Sequence, residues 1–398
     1  MSSRGSIQQR GRTSWRIRFD VPNDLGKRKQ HEVTFRGTGK EAQKELTRLL
    51  AESDKGTLAD PSKVTVAEHV RDWIKRARVS PRTREGYSDV CELRIVPHLG
   101  TVKLQKLRPV MIEEWHTTLL ERGSKAGGPL SAQTVQHAHR LLHVAIKNAV
   151  RNEVLARNVV AIHSAPAVTP PDIDWLTQDQ IPVLLAKLDG HALMPIAVLA
   201  LATGMRRGEV LALRWRNLDL EALTVTIEES LEQTRGGLRF KPPKTKAGMR
   251  TLRLPAGAAA VLRQHRARQS EIRLRLGLGS PENDGLVFYR WGKDGKPVPI
   301  PPNDLSRDWA RAVKALDAPK VSFHGLRHTV ASLLIAGGHD VVAVARHLGH
   351  KDATVTLKRY AHFFKAKDDT AAALIGAALA LPVANSVANS GNVLLPAP

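Results

Sequence analysis

With a single cysteine, Cys91, the 398-residue chain cannot close an intrachain disulfide and cannot build a cysteine-rich zinc site. Cys91 reads as a small apolar residue in a helix. Long apolar runs are missing as well. The longest, from Ala192 to Ala202, is broken by Pro195 and falls short of the ~20 residues that span a bilayer, so it reads as a buried core helix. The opening MSSRGSIQQRGR has no apolar stretch of the kind that directs secretion. The basic residues are spread along the chain instead of lining one amphipathic helix, so no membrane partner is expected. Acidic residues are in deficit, 38 against 61 Lys and Arg, which leaves a net charge of +23. Such an excess must face solvent or a polyanion, and nucleic acid is the polyanion that fits. Tyrosine is scarce too. There are three, and Tyr360 stands directly behind Lys358 and Arg359.

What is present suffices for a multidomain globular protein. Trp15, Ile17, Phe19 and Val21 alternate with Arg16, Arg18 and Asp20, the period of a half-buried strand, and Val33 and Phe35 continue it beyond a turn at Asn23 to Gly26. From Lys40 to Glu52 the spacing changes, and Ala42, Leu46, Leu49 and Leu50 share one helical face. Residues 1–58 therefore read as a small β-sheet with one helix. Thr65-Val-Ala-Glu68 is a capping box that opens a helix bearing Val66, Val70, Trp73 and Ile74. Further helices are expected at Thr83 to Ile95, Pro109 to Arg122 and Ser131 to Asn152, so residues 64–162 form a helical bundle. Within it, Ser80 to Tyr87 and His137, His139 and His143 either meet phosphates or line a solvated face. Residues 163–174 hold three prolines and no periodicity, and read as a linker. Thr177 to Gln180 caps the first helix of a third segment, 175–381, and residues 382–398 read as a disordered tail.

The third segment carries four clusters with chemical potential. In Thr203 to Trp215, Gly204 ends the apolar helix and a new one starts at once with Arg206 in its first turn. A cation there opposes the helix dipole unless an anion sits between them, and Glu209 can orient the guanidinium. In Pro242 to Pro255, a strand, a turn near Ala247-Gly248 and a returning strand would put Lys244 or Lys246 at a hairpin tip. In His324 to Gly338, Leu326, Val330, Leu333 and Leu334 form an apolar stripe while His324, Arg327 and His328 share another face. The two histidines lack the acid of a zinc-binding His-Glu-x-x-His helix, and Arg327 between them repels a metal, so no metal is expected. The fourth cluster is the Leu348-Gly349-His350 corner, followed by a helix from Asp352 to Lys365 that holds Tyr360.

Two arginines, a lysine, two histidines and a tyrosine are the parts needed for metal-free phosphoryl transfer to a protein hydroxyl. Guanidinium groups hold the charge spread over the equatorial oxygens, and a lysine can protonate the departing oxygen. A tyrosine, with a free pKa of about 10, needs nearby cations to favour its phenolate.

In the order Arg206, Lys244, His324 with Arg327, His350, Tyr360, these motifs resemble the tyrosine recombinase, or phage integrase, family. The resemblance implies a mainly α multidomain protein with the DNA breaking-rejoining enzyme fold. A mixed, mainly helical catalytic domain with a small antiparallel sheet would follow a helical core-binding (SAM-like) domain and an N-terminal arm-type DNA-binding module. It implies a site-specific recombinase that cuts and rejoins DNA through a 3′-phosphotyrosine to integrate or excise a mobile element. The partner would be double-stranded DNA carrying attachment sites, bound by a homotetramer with possible help from DNA-bending accessory proteins, without cofactor, in the cytoplasm. Arg206 and Arg327 would clamp the phosphate, Lys244 (or its rival Lys246) act as general acid, His324 and His350 assist, and Tyr360 attack. The Ala-rich stretch Asp369 to Leu381 would dock on a neighbouring subunit or close its own domain. Two alternatives share these residues: a type IB topoisomerase-like enzyme, and a non-catalytic DNA-binding regulator.

Overall fold

The computed structural model describes residues 5–22, 28–54, 63–169, 174–243 and 245–364, and the chain divides into two units, Met1–Pro171 and Asp172–Pro398. The first unit opens with three antiparallel strands in order, β1 (Gly5–Gly11), β2 (Ser14–Pro22) and β3 (Arg28–Arg36). The period of two sets their register. Ile7, Ile17 and Val33 align across the sheet, and α1 (Gly39–Asp54) lays Leu46 and Leu49 against Ile17 and Phe19. Strand β1 was not legible in the alternation, because only Ile7 of its seven residues is apolar. The turn expected at Asn23 to Gly26 lies outside the described residues.

A separate core holds the helices α2 (Val66–Arg76), α3 (Pro81–Val90), α4 (Val96–Leu99), α5 (Pro109–Arg122) and α6 (Ala132–Arg151). Thr65 and Glu68 close the capping box reciprocally, Glu68 NH to Thr65 Oγ1 at 3.2 Å and Thr65 NH to Glu68 Oε2 at 2.8 Å. Helix α3 begins two residues earlier than expected, with Pro81 at its first turn, and passes through a π turn at Cys91–Ile95 into α4. Cys91 is fully buried there, and burial raises its thiol to about 11. His139, a candidate phosphate contact, is instead buried with Nδ1 3.1 Å from His116 Nε2, so it faces the core and not an anion. His137 is exposed and His143 half-buried.

The second unit begins with α7 (Gln180–Lys187) and α8 (Met194–Thr203). At the start of α7, Thr177 NH donates to Gln180 Oε1 at 3.0 Å, half of the expected cap. Helix α8 is apolar on all sides, as a helix buried all round must be, with Pro195 in its first turn. The chain continues through α9 (Arg207–Ala212), β4 (Leu218–Asp219), β5 (Thr224–Ile227), β6 (Ser230–Thr234), β7 (Gly237–Lys241) and β8 (Arg250–Arg253). The hairpin expected within Pro242 to Pro255 does not form. Strand β7 pairs with β6, whereas β8 pairs with β5 to give the sheet β4-β5-β8. The reason is local: Pro242 and Pro243 have no N–H to extend the ladder beyond β7. A short 3-10 turn, Lys246–Gly248, leads into β8.

Helix α10 (Ala256–Arg275), the pair β9 (Tyr289–Trp291) and β10 (Pro297–Pro299), and α11 (Pro302–Ala315) complete the larger core, which includes Leu199, Val210, Leu262 and Trp309. The last three helices are α12 (Phe323–Ala336), α13 (Val341–Leu348) and α14 (Ala353–Phe364). They enclose a small cluster of their own, Ala331, Ile335, Val344, Leu348 and Tyr360. Among the described residues no helix is long and apolar enough to cross a membrane. The Ala-rich stretch Asp369 to Leu381 and the tail 382–398 lie outside the described residues.

Candidate active site

Two left-handed glycines shape the site. Gly204 (φ +63°) ends α8, and Gly349 (φ +67°) ends α13. An L side chain is strained at such a φ, and neither position has room for one. A Cβ on Gly204 would meet Leu348 Cδ2 at 2.9 Å, and one on Gly349 would meet Arg250 Nη1 at 2.6 Å. The two corners can therefore approach closely, and their carbonyls become the anchor points of the site.

Arg206 stands one residue before α9, at its cap instead of in its first turn. Its Nη2 donates to Gly349 O at 3.1 Å, and its Nη1 to Glu209 Oε1 at 2.8 Å. Arg327, on α12 and 3% exposed, donates through Nη1 to Gly204 O and through Nη2 to Leu348 O, both at 2.6 Å. Two guanidiniums thus converge on adjacent carbonyls of one corner. Burial, then Arg206, pulls the Arg327 guanidinium well below its ordinary range, yet it stays charged at neutral pH. Two of its five N–H donors hold carbonyls, and the planar fork retains others for an anion.

Glu209 is the internal counter-charge. Its carboxylate is 3% exposed and accepts from Arg206 NH at 3.0 Å and from Arg250 Nη2 at 3.1 Å, besides Arg206 Nη1. Burial alone would raise its pKa, but Arg250 and the Arg206 bonds outweigh it and hold the group below the usual carboxylate range. Arg250 was not among the residues singled out in the sequence. It lies on β8, and its Nε donates to His347 O at 2.8 Å while Nη1 donates to Gly248 O at 3.1 Å. It thereby ties the last turn of α13 to the sheet and to Glu209. No spacing rule connects positions 209, 250 and 347, so only the fold reveals the role.

Three imidazoles border the arginines. His350 Nδ1 lies 2.7 Å from the buried Thr356 Oγ1, which fixes the ring on its corner. The rings of His324 and His328 meet edge to face with centroids 4.8 Å apart, one turn apart on α12. Desolvation first, and then neighbouring Arg327, lowers His350, which is half-buried, and His324, which keeps part of its surface in solvent, to about 4, so both are neutral at pH 7. His328 Nδ1 lies 2.5 Å from the Tyr360 hydroxyl. Tyr360 is 2% exposed, and burial raises its pKa although Arg327 and Arg359 pull the other way. The cation field anticipated around the tyrosine is present, but desolvation outweighs it.

A cavity of about 320 Å³ opens beside these groups, lined among others by Arg206, Glu209, Lys241, His350 and Lys351. Lys241 pairs with Glu232 within the β6–β7 ladder. Lys244 lies outside the described residues, and of its rival Lys246 only the backbone turn is described. Five of the six sequence-derived candidates, Arg206, His324, Arg327, His350 and Tyr360, therefore occupy one region. His328, which the sequence placed on one face with His324 and Arg327, joins them, as do Arg250 and Arg359.

The chain matches the phage integrase family model over residues 174–367 and the phage integrase N-terminal SAM-like domain model over residues 65–120. It is 30% identical over 341 residues to an integrase of Streptomyces ambofaciens, covering 82% of this chain and 84% of that one. Among solved structures it is similar to the Tn1549 transposon integrase in complex with transposon right end DNA. The TM-score is 0.65 at 21% identity, over 80% of this chain and 100% of the other. It also resembles the lambda integrase tetramer bound to a Holliday junction, with a TM-score of 0.52 at 18% identity, over 89% and 97%. At those identities the two likenesses speak for the fold. From the curated relative and the two domain models together, the chain belongs to the phage integrase family, the tyrosine-type site-specific recombinases.

Proposed function

We propose that this recombinase integrates or excises a mobile element, cutting and rejoining double-stranded DNA at attachment sites as a homotetramer. The domain organisation that goes with this reading is an arm-type DNA-binding module at 1–58, a core-binding domain at 64–162, a linker at 163–174 and a catalytic domain at 175–381. Arg206 and Arg327 hold the nonbridging oxygens of the scissile phosphate. The Tyr360 oxygen attacks phosphorus, the bond from phosphorus to the 5′ oxygen breaks, and Lys244 protonates the departing 5′ oxygen to give the 5′ hydroxyl. His324 and His350, both neutral, donate or accept hydrogen bonds at the phosphate. Rejoining reverses the step: a 5′ hydroxyl attacks the 3′-phosphotyrosine and Tyr360 departs, so the bond energy is conserved.

The observation that carries this reading is the convergence of two guanidiniums on the 348–349 corner, with one buried carboxylate, Glu209, as the internal counter-charge. A bound phosphate would relieve the like-charge repulsion between Arg206 and Arg327 and would lie within their remaining donors. DNA binding is supported by the +23 net charge and by relatives whose structures are complexes with DNA.

A nicked duplex that traps the cleaved strand tests it. The wild type should accumulate a covalent protein–DNA adduct, and Tyr360→Phe should form none. An adduct of undiminished yield from Tyr360→Phe, or none from the wild type on its own attachment site, rejects the assignment.

A further inference from the structure

We propose that His328 is a positioning residue for the nucleophile: it donates through Nδ1–H to the Tyr360 oxygen and steadies the phenolate when it attacks and when it departs. This rests on the reading of Tyr360 as nucleophile. The contact itself is on α12 and α14. His328 follows Arg327 directly, so the helix turns it away from the Gly204 and Leu348 carbonyls and toward Tyr360, at 2.5 Å and with the rings edge to face.

The direction of the hydrogen bond follows from the other ring nitrogen. Arg359 Nη2 lies 3.3 Å from His328 Nε2. A guanidinium has donors only, so Nε2 must be the nitrogen with the lone pair, and a neutral imidazole then carries its proton on Nδ1. The ring is neutral: burial, followed by His324, Arg359, Arg327 and His350, lowers its pKa to about 3. An imidazolium would face two arginines there. A ring that accepted the tyrosine proton at Nδ1 would have to present Nε2–H to the Arg359 guanidinium, donor against donor. Toward Tyr360, His328 is therefore a donor and not a base.

The chemical consequence is specific. A hydrogen bond to the charged form of a group favours that form, and burial currently disfavours the Tyr360 phenolate. As the Tyr360 oxygen bonds to phosphorus its proton passes to water, balancing the one that Lys244 delivers to the departing 5′ oxygen, and the Nδ1–H remains on the Tyr360 oxygen throughout. In rejoining, the same N–H receives the phenolate as it is expelled. Arg359 takes part at one remove, by fixing the tautomer.

The test uses full-length protein and a nicked duplex containing the attachment site recovered from the DNA flanking the gene. Three variants are compared with the wild type: His328→Ala, His328→Asn and Tyr360→Phe. Asparagine places an amide N–H near the Nδ1 position but cannot take a proton. His328→Ala should slow adduct formation by roughly 100-fold, the effect of deleting one donor to a developing oxyanion, and move the alkaline rise of the pH–rate profile upward. His328→Asn should recover to within about tenfold of the wild type, with the profile restored. A folded His328→Asn as slow as His328→Ala makes His328 a base and overturns the proposal, as does a His328→Ala at full rate. If the alanine variant does not fold, the asparagine variant decides alone: a folded protein without adduct overturns it. An adduct from Tyr360→Phe removes the nucleophile reading itself, whereas an inactive Tyr360→Phe beside a full-rate His328→Ala removes only the role of His328.

Discussion

Each unit of the chain gathers a group of histidines, and the two groups differ in what surrounds them. In the helical bundle His116 and His139 hydrogen-bond to each other, the Trp115 ring leans on His116 with centroids 5.3 Å apart, and His143 lies against His139. In the second unit His324, His328 and His350 lie among Arg206, Arg327 and Arg359 and beside the Tyr360 hydroxyl. Burial is the largest cause of lowered pKa in both groups, and His139 and His324 both reach about 4. The next cause differs: another histidine for His139, an arginine for His324. Desolvation and a neutral imidazole are therefore shared by core and site, and what separates them is the meeting of cations with a tyrosine hydroxyl.

The sharpest way to break that comparison is to disturb each group once. Arg327→Lys keeps a charge but loses the fork that holds Gly204 O and Leu348 O together, so adduct formation should fall by about 10³-fold or more. His139→Leu removes a polar pair from the bundle and should leave the cleavage rate of bound DNA within about twofold, since nothing in that pair meets the reacting phosphate in this reading. A slow His139→Leu, in single-turnover conditions with protein in excess, would mean that the bundle histidines act on the chemistry after all.

Next in size is the buried counter-charge. Glu209→Gln leaves Arg250, whose side chain is 8% exposed, without its ionic partner. Breaking a buried ion pair on one side costs about 3–5 kcal/mol. Urea unfolding followed by peptide-resolved hydrogen exchange should place that loss in the second unit. A loss of under ~1 kcal/mol would show that Arg250 is satisfied by the carbonyls of His347 and Gly248.

These residues also mark where the sequence stops being readable. Helices with an apolar stripe and a clear start signal, the capping box of α2 and the first-turn proline of α5, could be placed to within a residue or two, because the start signal and burial agree there. The motif residues could be singled out because Arg206, His324 and His350 sit at a glycine corner or a helix start, and Arg327 and Tyr360 follow those breaks at short spacings. The hairpin expected around Lys244 was wrong, since local alternation cannot say that Pro242-Pro243 would hand β8 to the distant partner β5. Arg250 and the tautomer-setting Arg359 were hidden for a related reason. Their roles depend on carbonyls and ring nitrogens brought close by tertiary packing, across separations of 97 and 31 positions.

The smallest expected effect separates the two causes of histidine neutrality. Both groups have folded pKa values below the ordinary 6.5, so the unfolded chain binds more protons between about pH 6.5 and 4. Stability is then complete above pH 6.5 and falls as the pH drops toward 4, by up to about 1.4 kcal/mol per pH unit for the buried His139 and by less for His324, which solvent reaches and screens. Acid alone does not distinguish the units. Salt does, because part of the depression at His324 and His350 comes from arginines that solvent reaches, Arg206 being 40% exposed at its side chain, and ions screen that part. In 1 M NaCl, where screening acts within about 3 Å, NMR titration of the imidazole protons should move His324 and His350 upward by a few tenths of a unit. His116 and His139, whose next contributor after desolvation is another histidine and not an arginine, should move less. Equal movement in both groups would mean that the second unit's arginines contribute no field of their own, and the distinction between core and site would have to rest on the Tyr360 contact alone.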